Sequence, residues 1–469
     1  MLTRLEVHGF KNLADLSVEF GPFTCIAGAN GVGKSNIFDA IQFLALLADR
    51  PLMEAAEAVR GTRDERTGDP RDLLWRGSSE GTMRFAAEMV VPPSVEDDFG
   101  QTVKPSISFL RYELEIGYSG PTKLDRRGRL VLLSESLKRI KIGEAPAHIR
   151  FPHSAKKFRT EVVFGRRSGA AYISTLIDGN DRVITVHQDG GSRGRPRRAS
   201  ATRAPATVVS TITVGDDPTV LAARREMQSW RRLALEPTAL RTADRFTDPQ
   251  FMASDGSHLP ATLYRIATNT NGSKSHPEDV LARVSSRVSE LTGISVRELG
   301  IDADDTRELL TLRLVEQSGV DIPARSLSEG TLRFLALCVL LEDSDVGGVL
   351  CMEEPENGIH PANIKAMLDL LQDLAVDPND APGVDNPVRQ VIVNTHSPVV
   401  VQVIDPDDLL FASGHPVEFD DGSLHNVLEL RPMKNSWRDA GDAAKPIGKA
   451  DLIPYLTTPP ERQISLTDA

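Results

Sequence analysis

Hydrophobic and polar residues alternate with two different periods along this chain, and the change of period divides it into regions. Near the start, short apolar stretches predict β-strands, and a glycine-rich loop then leads into an apolar stretch with helical spacing from Lys34 to about Ala48. The strands predicted here are residues 2–8, 16–20 and 23–27. We therefore expect the order strand, glycine-rich loop, helix.

The middle of the chain is less regular. Strands predicted at residues 83–91, 107–118 and 130–137 indicate an antiparallel layer attached to the first lobe. From about residue 141 to 289 the periodicity weakens, and short strands at 172–177 and 183–186 precede helices that begin near Val220 and Pro260. We interpret this part as an inserted α+β region.

Strands and helices alternate regularly again from about residue 293, which predicts a largely parallel sheet. The elements predicted there are strands 293–300, 308–316, 348–352 and 390–393 and helices 329–341 and 361–374. The predicted fold class is thus α/β, a mixed, largely parallel sheet with flanking helices plus the antiparallel layer. The predicted divisions are an N-terminal lobe (1–140), the insertion (141–290), a C-terminal lobe (291–415) and a tail (416–469).

Composition narrows the class of protein. The chain is 469 residues long with 40% hydrophobic residues, which is enough for a large core. No run of about 18 apolar residues occurs and the first residues lack a signal-peptide pattern, so we expect a cytoplasmic protein without a membrane partner. Cys25, Cys338 and Cys351 each lie in an apolar run, which predicts buried, reduced thiols.

Charge is unevenly distributed. The formal net charge is −12, yet residues 121–204 carry 19 Lys and Arg against seven Asp and Glu. Within this basic segment, the loop from Ser192 to Arg198 could neutralise nucleic-acid phosphates, or it could be a solvated loop. No aromatic residues are interleaved for base stacking, so DNA is a possible partner only.

The strongest chemical signal is the segment from Gly28 to Ser35, which fits GxxxxGK[ST] between an apolar strand and an apolar helix. This is a Walker A loop. Its glycines let backbone amides turn toward the phosphates of ATP at the positive end of the following helix. Lys34 adds a charge on the phosphates and Ser35 is expected to ligate Mg²⁺. The residues expected to bind the nucleotide here are Asn30, Gly31, Val32, Gly33, Lys34, Ser35 and Asn36.

A second signal is the apolar strand that ends at Glu353 and Glu354. Parallel strands deliver their last residues to the sheet edge where a nucleotide lies, so this segment is interpreted as Walker B. We assign Glu353 to the metal and Glu354 to the attacking water. Adjacent acidic residues at a strand end can also be solvated turn residues, and it is the Walker A loop that favours the catalytic interpretation.

Two further segments complete the set. Ser328 and Gly330 begin a helix about 20 residues before Walker B, where they can cap the helix and can also contact phosphate. His396 follows another buried strand. A lone histidine is more often structural, but after the other three motifs it is expected to sense the γ-phosphate and to take part in catalysis with Lys34 and Glu354.

Together these residues resemble the ABC-like ATPases of the SMC, RecF and OLD-nuclease type, in particular their compact AAA-like relatives in bacterial defence and repair operons. The resemblance covers residues 2–47, including Gly9-Phe10-Lys11-Asn12, and residues 294–403, including the segment from Glu353 to Pro361. It implies a P-loop ABC-type ATPase head that works as a homodimer or larger homo-oligomer. In such a pair Ser328 and Gly330 would contact the γ-phosphate held by the other protomer, with Asn357 and Gly358 near the seam.

The resemblance leaves the biological role open. Our preferred expectation is the ATPase subunit of an antiphage defence system, similar to those of Septu, Gabija and PARIS, which controls a separate effector protein such as a nuclease. The alternatives are a RecF- or SMC-like repair or chromosome-maintenance ATPase and an ATP-dependent assembly scaffold with little turnover. Asp405, Asp407 and Asp408 are interpreted as a polar turn and not as a nuclease site. The Q-loop glutamine of the family is not placed.

Overall fold

The structure is a computed structural model of the chain. It describes residues 1–59, 69–76, 81–121, 126, 128–166, 169, 171–179, 181–189, 197–268, 277–418, 424–439 and 445–457. The strands are β1 (Leu2–Phe10), β2 (Leu13–Glu19), β3 (Phe23–Gly28), β4 (Thr82–Val90), β5 (Val95–Glu96), β6 (Thr102–Val103), β7 (Phe109–Ser119), β8 (Arg129–Arg139), β9 (Ala171–Asp178), β10 (Asp181–Val186), β11 (Arg197–Ser200), β12 (Arg231–Leu233), β13 (Asp244–Arg245), β14 (Val296–Asp304), β15 (Leu309–Glu316), β16 (Asp321–Pro323), β17 (Gly348–Glu353), β18 (Arg389–Thr395), β19 (Leu409–Glu418) and β20 (Leu424–Pro432).

The helices lie mainly between strands of the second half of the chain. The α-helices are α1 (Lys34–Leu47), α2 (Leu52–Ala58), α3 (Ala145–His148), α4 (Thr160–Val162), α5 (Pro218–Gln228), α6 (Pro237–Leu240), α7 (Leu259–Thr268), α8 (Pro277–Thr292), α9 (Glu329–Glu342), α10 (Ile364–Leu374), α11 (Pro398–Val403) and α12 (Ile453–Thr457). Within the described ranges, none of them is both long enough and apolar enough to cross a bilayer.

A largely parallel sheet carries the motif strands. Its strand order is β12-β17-β18-β3-β19-β20, and all neighbours are parallel except the hairpin β19–β20. In the register, Glu353 lies opposite Asn394, and Thr395 lies opposite Ala27. Because β3, β17 and β18 are adjacent and run the same way, the glycine-rich loop, Glu353 and His396 follow strand ends at one edge of the sheet. This confirms the predicted α/β class.

The second sheet is antiparallel, with the order β11-β10-β9-β8-β7-β4-β1-β2. It contains the predicted antiparallel layer, and strands β9 to β11 of the predicted insertion extend it without forming a sheet of their own. Strand β12, also within the predicted insertion, joins the parallel sheet beside β17. The hairpin β19–β20 continues past residue 415. The domain limits stay a prediction, and these pairings show which sheet each region enters.

The central strands β3, β17 and β18 are buried on both faces of the sheet, which explains why they are almost continuously apolar. On one face, side chains such as Ile26, Val349 and Ile392 pack with α1 and the antiparallel sheet. On the other face, Cys25 and Val393 join a core with α9 and α10. The predicted buried cysteines are confirmed, since all three thiols are free and buried; they are Cys25, Cys338 and Cys351.

The helix predicted at residues 361–374 is wrong in its first turn. Pro361–Asn363 forms a 3-10 helix, and α10 begins only at Ile364. The His360 side chain accepts a hydrogen bond from the Ala362 amide at 3.2 Å, so it caps this tighter turn. Capping geometry of this kind depends on side-chain orientation and is not visible in hydrophobic periodicity.

Candidate functional site

The glycine-rich loop joins β3 to α1 and holds its lysine inward. Gly33 precedes the helix with a left-handed φ of 100°. Lys34, only 7% exposed, donates hydrogen bonds to the carbonyl oxygens of Gly28 at 2.6 Å and Ala29 at 2.7 Å. Burial lowers the pKa of the Lys34 ammonium to about 8, and the carboxylates within residues 353–356 act in the opposite direction.

The other predicted nucleotide-binding residues of the loop differ in exposure. Asn30 and Gly31 are exposed, Val32 is buried, and Gly33, Ser35 and Asn36 are intermediate. A Cβ atom at Gly31 would contact nothing within 4 Å, so the crest of the loop is open. The structure places these residues in the continuous turn that a phosphate-binding loop requires.

Asn12, in the turn between β1 and β2 of the antiparallel sheet, forms hydrogen bonds with this loop. Its Nδ2 atom donates to the Val32 carbonyl at 2.8 Å, and its Oδ1 atom accepts from Asn36 Nδ2 at 2.6 Å. A Cβ atom at residue 33 would lie 2.1 Å from Asn12 Nδ2, so only glycine fits beside it. The Gly9-Phe10-Lys11-Asn12 segment therefore has a contact role that the sequence resemblance alone did not specify.

Glu354 is held on three sides at the end of the Walker B strand. Its backbone has a left-handed φ of 46°, and its amide donates to the Asn394 carbonyl at 3.0 Å. Its carboxylate contacts His396 Nδ1 at 2.8 Å and accepts from Asn357 Nδ2 at 2.7 Å. The predicted catalytic pair, Glu354 and His396, is therefore in direct contact, and a non-glycine residue with positive φ is a common feature of functional sites.

A second, more deeply buried side-chain contact links the same two segments, the turns after β17 and β18. The Thr395 hydroxyl, 1% exposed, donates to Glu356 Oε1 and accepts from the Ser397 amide at 2.9 Å. Burial raises the pKa of the Glu356 carboxyl, while the Thr395 hydrogen bond lowers it. Glu356 Oε2 is buried without a hydrogen-bond partner in the described part of the chain. The turn after β17 and the turn that carries His396 are thus linked by two side-chain contacts.

Arg232 on β12 is a site residue that sequence reasoning missed. Its guanidinium lies 3.0 Å from Glu353 Oε1 and donates to Asp39 Oδ1 at 3.4 Å. Asp39, on α1 and fully buried, also accepts from Lys11 Nζ at 2.7 Å. The three-residue strand β12 lies in the weakly periodic region, and no local motif marks it. The chain of charges connects the helix after Walker A to Walker B.

The predicted signature residues form the N-terminus of α9. Ser328 is exposed and caps the helix, accepting from the Thr331 amide at 3.2 Å. Gly330 faces the Walker B turn, because a Cβ atom there would lie 3.1 Å from the Gly358 carbonyl oxygen. Ser328 and Gly330 are thus placed together at one helix N-terminus, which can offer amides to an anion.

The segment after β12 reaches this same helix. Arg333 Nε of α9 donates to the Leu235 carbonyl at 3.4 Å. Arg241 Nη2 donates to the carbonyl of Leu327, the residue before the cap, at 3.1 Å. Residues 232–241 therefore contact Walker B at one end and the signature at the other.

The predicted metal ligands supply the right donor atoms. Ser35 offers a hydroxyl and Glu353 a carboxylate, and Mg²⁺ takes oxygen ligands. Glu353 Oε1 is buried and accepts no hydrogen bond from the described residues, although Arg232 lies beside it. An acceptor left in this state fits a cation site.

The predicted basic loop is only partly visible, since residues 192–196 lie outside the described residues. Arg197 and Arg198 are exposed on the edge strand β11, and Arg197 forms an ion pair with Asp217. Asp405 to Asp408 form a turn before β19, as expected. A nucleic-acid role for the basic loop stays a prediction.

Comparisons with known proteins match both motif blocks. Residues 224–402 match a family described as "AAA domain, putative AbiEii toxin, Type IV TA system", and residues 4–77 match a family described as "AAA domain". The second range contains the Walker A loop, and the first contains β12, the signature, Walker B and His396.

Curated relatives share limited stretches. One is the DNA replication and repair protein RecF of Pediococcus pentosaceus, 40% identical over 77 residues, or 16% of this chain and 17% of that protein. Another is the chromosome partition protein Smc of Bacillus subtilis, 35% identical over 100 residues, or 21% of this chain and 7% of that protein. The matches thus span less than a fifth of either relative.

Among solved structures, an SmcHead bound to the C-winged helix domain of ScpA superposes with a TM-score of 0.47 at 16% identity, covering 92% of this chain and 98% of that chain. The SMC head domain from Thermotoga maritima gives a TM-score of 0.37 at 14% identity, covering 92% and 99%. The motif order and geometry, the two family matches and the RecF and Smc relatives together support an ABC-like P-loop ATPase of the SMC and RecF type.

Proposed function

We propose that this chain binds ATP with Mg²⁺ and hydrolyses it to ADP and phosphate, and that two protomers close over the nucleotide. The observation that carries the proposal is the contact of Glu354 with both His396 and Asn357, at the sheet edge that also holds Lys34. An acid held by a histidine beside a phosphate-binding loop suits a group that orients and deprotonates water.

Each side chain has a defined task in this proposal. Lys34 exchanges its loop carbonyls for the phosphates, and the loop amides surround them. Glu354 accepts a proton from the attacking water, and His396 donates a hydrogen bond to the γ-phosphate while it keeps Glu354 in place. Ser35 and Glu353 hold Mg²⁺, which when bound neutralises charge on the phosphate oxygens.

Pairing of two copies would complete the site. Ser328 is exposed at the N-terminus of α9, and a helix N-terminus favours an anion. In the proposed dimer this surface meets the γ-phosphate bound by the other protomer. Asn357 and Gly358 are exposed beside it and would lie near the seam.

The preferred biological role is control of a separate effector in antiphage defence. The match of residues 224–402 to a family described by a toxin of a toxin–antitoxin system favours it. A RecF- or SMC-like role in repair or chromosome maintenance is the second candidate, favoured by the RecF and Smc relatives. Strong DNA binding that weakens steeply with salt would support the second role. Loss of phage resistance on deletion, without sensitivity to DNA damage, would support the first.

The biochemical proposal is tested with Glu354→Gln, which keeps size and hydrogen bonding but removes the base. Phosphate release should fall about a hundredfold or more, because general-base catalysis contributes that much. ATP binding should persist, and light scattering should show a larger species with Mg-ATP that Lys34→Ala abolishes. Unchanged phosphate release in Glu354→Gln would reject the catalytic assignment, and an unchanged mass would reject pairing through ATP.

A further inference from the structure

Arg232 lies between two carboxylates that belong to different parts of the site. It donates a hydrogen bond to Asp39 on α1 and lies 3.0 Å from Glu353 at the end of β17. The parallel pairing of β12 with β17 sets this position, since Arg232 is level with Cys351, two residues before Glu353. A three-residue strand thus brings one guanidinium beside a proposed metal ligand.

Neutralisation of the buried Asp39 does not account for this placement. Lys11 Nζ already lies 2.7 Å from Asp39 Oδ2, closer than Arg232 lies to Asp39. Arg232 is nearer to Glu353, and both side chains are about one-quarter exposed, so solvent does not fully screen the pair. The charge of Arg232 therefore acts mainly on Glu353.

A bound cation can also replace the contact between Arg232 and Glu353. Glu353 Oε1 is buried, yet no N–H group of the described residues points at it within hydrogen-bond geometry. Charge attraction without a directed hydrogen bond leaves the lone pairs of this oxygen available. A divalent cation with two charges can displace the guanidinium and use them.

We propose that Arg232 is a positioning residue that holds the Glu353 carboxylate before the metal arrives and competes with the divalent cation for it. This rests on the proposed function, in which Glu353 is a metal ligand. Arg232 then lowers the affinity of the nucleotide-free site for the metal, while it keeps the Walker B carboxylate aligned with α1.

The test uses Mn²⁺ alone on the nucleotide-free full chain, with free Mn²⁺ followed by electron paramagnetic resonance. Arg232→Gln should bind Mn²⁺ about tenfold more tightly than the unmodified chain, because it removes the positive charge that lies 3.0 Å from Glu353 Oε1 and competes with the metal for that oxygen. The gain should vanish in Arg232→Gln/Glu353→Gln. Arg313→Gln, which breaks an exposed ion pair with Asp321 on another sheet, is the matched control.

Background binding is separated by subtracting the Glu353→Gln signal. Asp244, Asp248 and His258 form the one other group in the described residues that could hold Mn²⁺, and that signal is common to all variants. Equal Mn²⁺ affinity in folded Arg232→Gln and the unmodified chain overturns the inference. So does a gain that survives Glu353→Gln.

A second variant guards against a folding defect. If Arg232→Gln does not fold, Arg232→Met replaces it, because methionine keeps an aliphatic stem without the charge and Mn²⁺ should again bind about tenfold more tightly. Unchanged affinity there overturns the inference. The proposed function has its own readout: failure of the unmodified chain to bind Mg-ATP would reject it, while the Mn²⁺ comparison would still report on Arg232 and Glu353.

Discussion

At the scale of single residues, the site depends on polar groups that are held before any ligand contacts them. Glu354 has two side-chain partners, and Asn12 fills the space next to Gly33. Such preorganisation lowers the cost of assembling the site when substrate binds.

Asn12 stabilises the shape of the Walker A loop. Asn12→Ala removes the hydrogen bonds to Val32 and Asn36, so the loop loses the contact that fixes its shape. ATP affinity measured by calorimetry should fall about tenfold, as expected for loss of one to two hydrogen bonds. The thermal unfolding midpoint should change little, because Asn12 is only half-buried. A normal affinity in Asn12→Ala would exclude this role.

The affinity for ATP should depend on pH through Lys34. Lys34 in the free protein has a pKa lowered to about 8, and phosphates bind its protonated form. A ligand that requires the protonated form binds fully below that pKa and progressively less above it, so ATP affinity should decline by up to tenfold per pH unit from about pH 8. The same titration on Lys34→Ala should give weak, nearly flat binding. A flat profile in the unmodified chain between pH 7 and 9 would contradict the lowered pKa.

At the scale of elements, strand ends are joined by side chains from the neighbouring strand. The turns after β17 and β18 share the Thr395–Glu356 and His396–Glu354 contacts. Displacement of one turn therefore moves the other, which links the residue proposed to activate water, Glu354, to the residue proposed to sense the γ-phosphate, His396.

Thr395→Val tests this link. Valine keeps the shape but removes the donor to Glu356, whose other oxygen already lacks a partner. Because the site is buried, the free energy of unfolding in urea should fall by about 1–3 kcal/mol. Thr395→Ser, which keeps the hydroxyl, should remain within about 1 kcal/mol of the unmodified chain. Equal losses in both variants would point to packing and not to the hydrogen bond.

Elements with strong local patterns could be predicted, and those defined by distant partners could not. Strands β3, β17 and β18 are continuously apolar because both faces of their sheet are covered, so their place beside the motifs follows from sequence. Strand β12 has three residues and is a strand only because it pairs with β17, more than a hundred residues later. Arg232 and Asp39 are 193 residues apart, and no local pattern announces their contact.

At the scale of the whole molecule, one chain contributes two surfaces to the proposed pair. The Walker A loop opens at Gly31, and the signature helix begins at the exposed Ser328.

Ser328→Glu in the Glu354→Gln background should keep ATP binding but lose the ATP-dependent increase in mass, because a carboxylate repels the partner's γ-phosphate. Ser318→Glu, at the exposed turn between β15 and β16, is the control and should still pair. Loss of pairing in both would indicate a general charge effect.

In the proposed mechanism, the segment from Arg232 to Arg241 would set the order of cation binding and pairing. One end lies on the carboxylate that is proposed to receive the cation, and the other end holds the loop in front of the helix that is proposed to meet a second copy. If the cation frees Arg232, the change can pass along this short segment, which Leu233 and Leu240 anchor in the core, to the proposed pairing surface. A copy with an empty site would then present a different face from a loaded one. Pairing would then follow cation binding, and two copies without the bound cation would not form a stable pair.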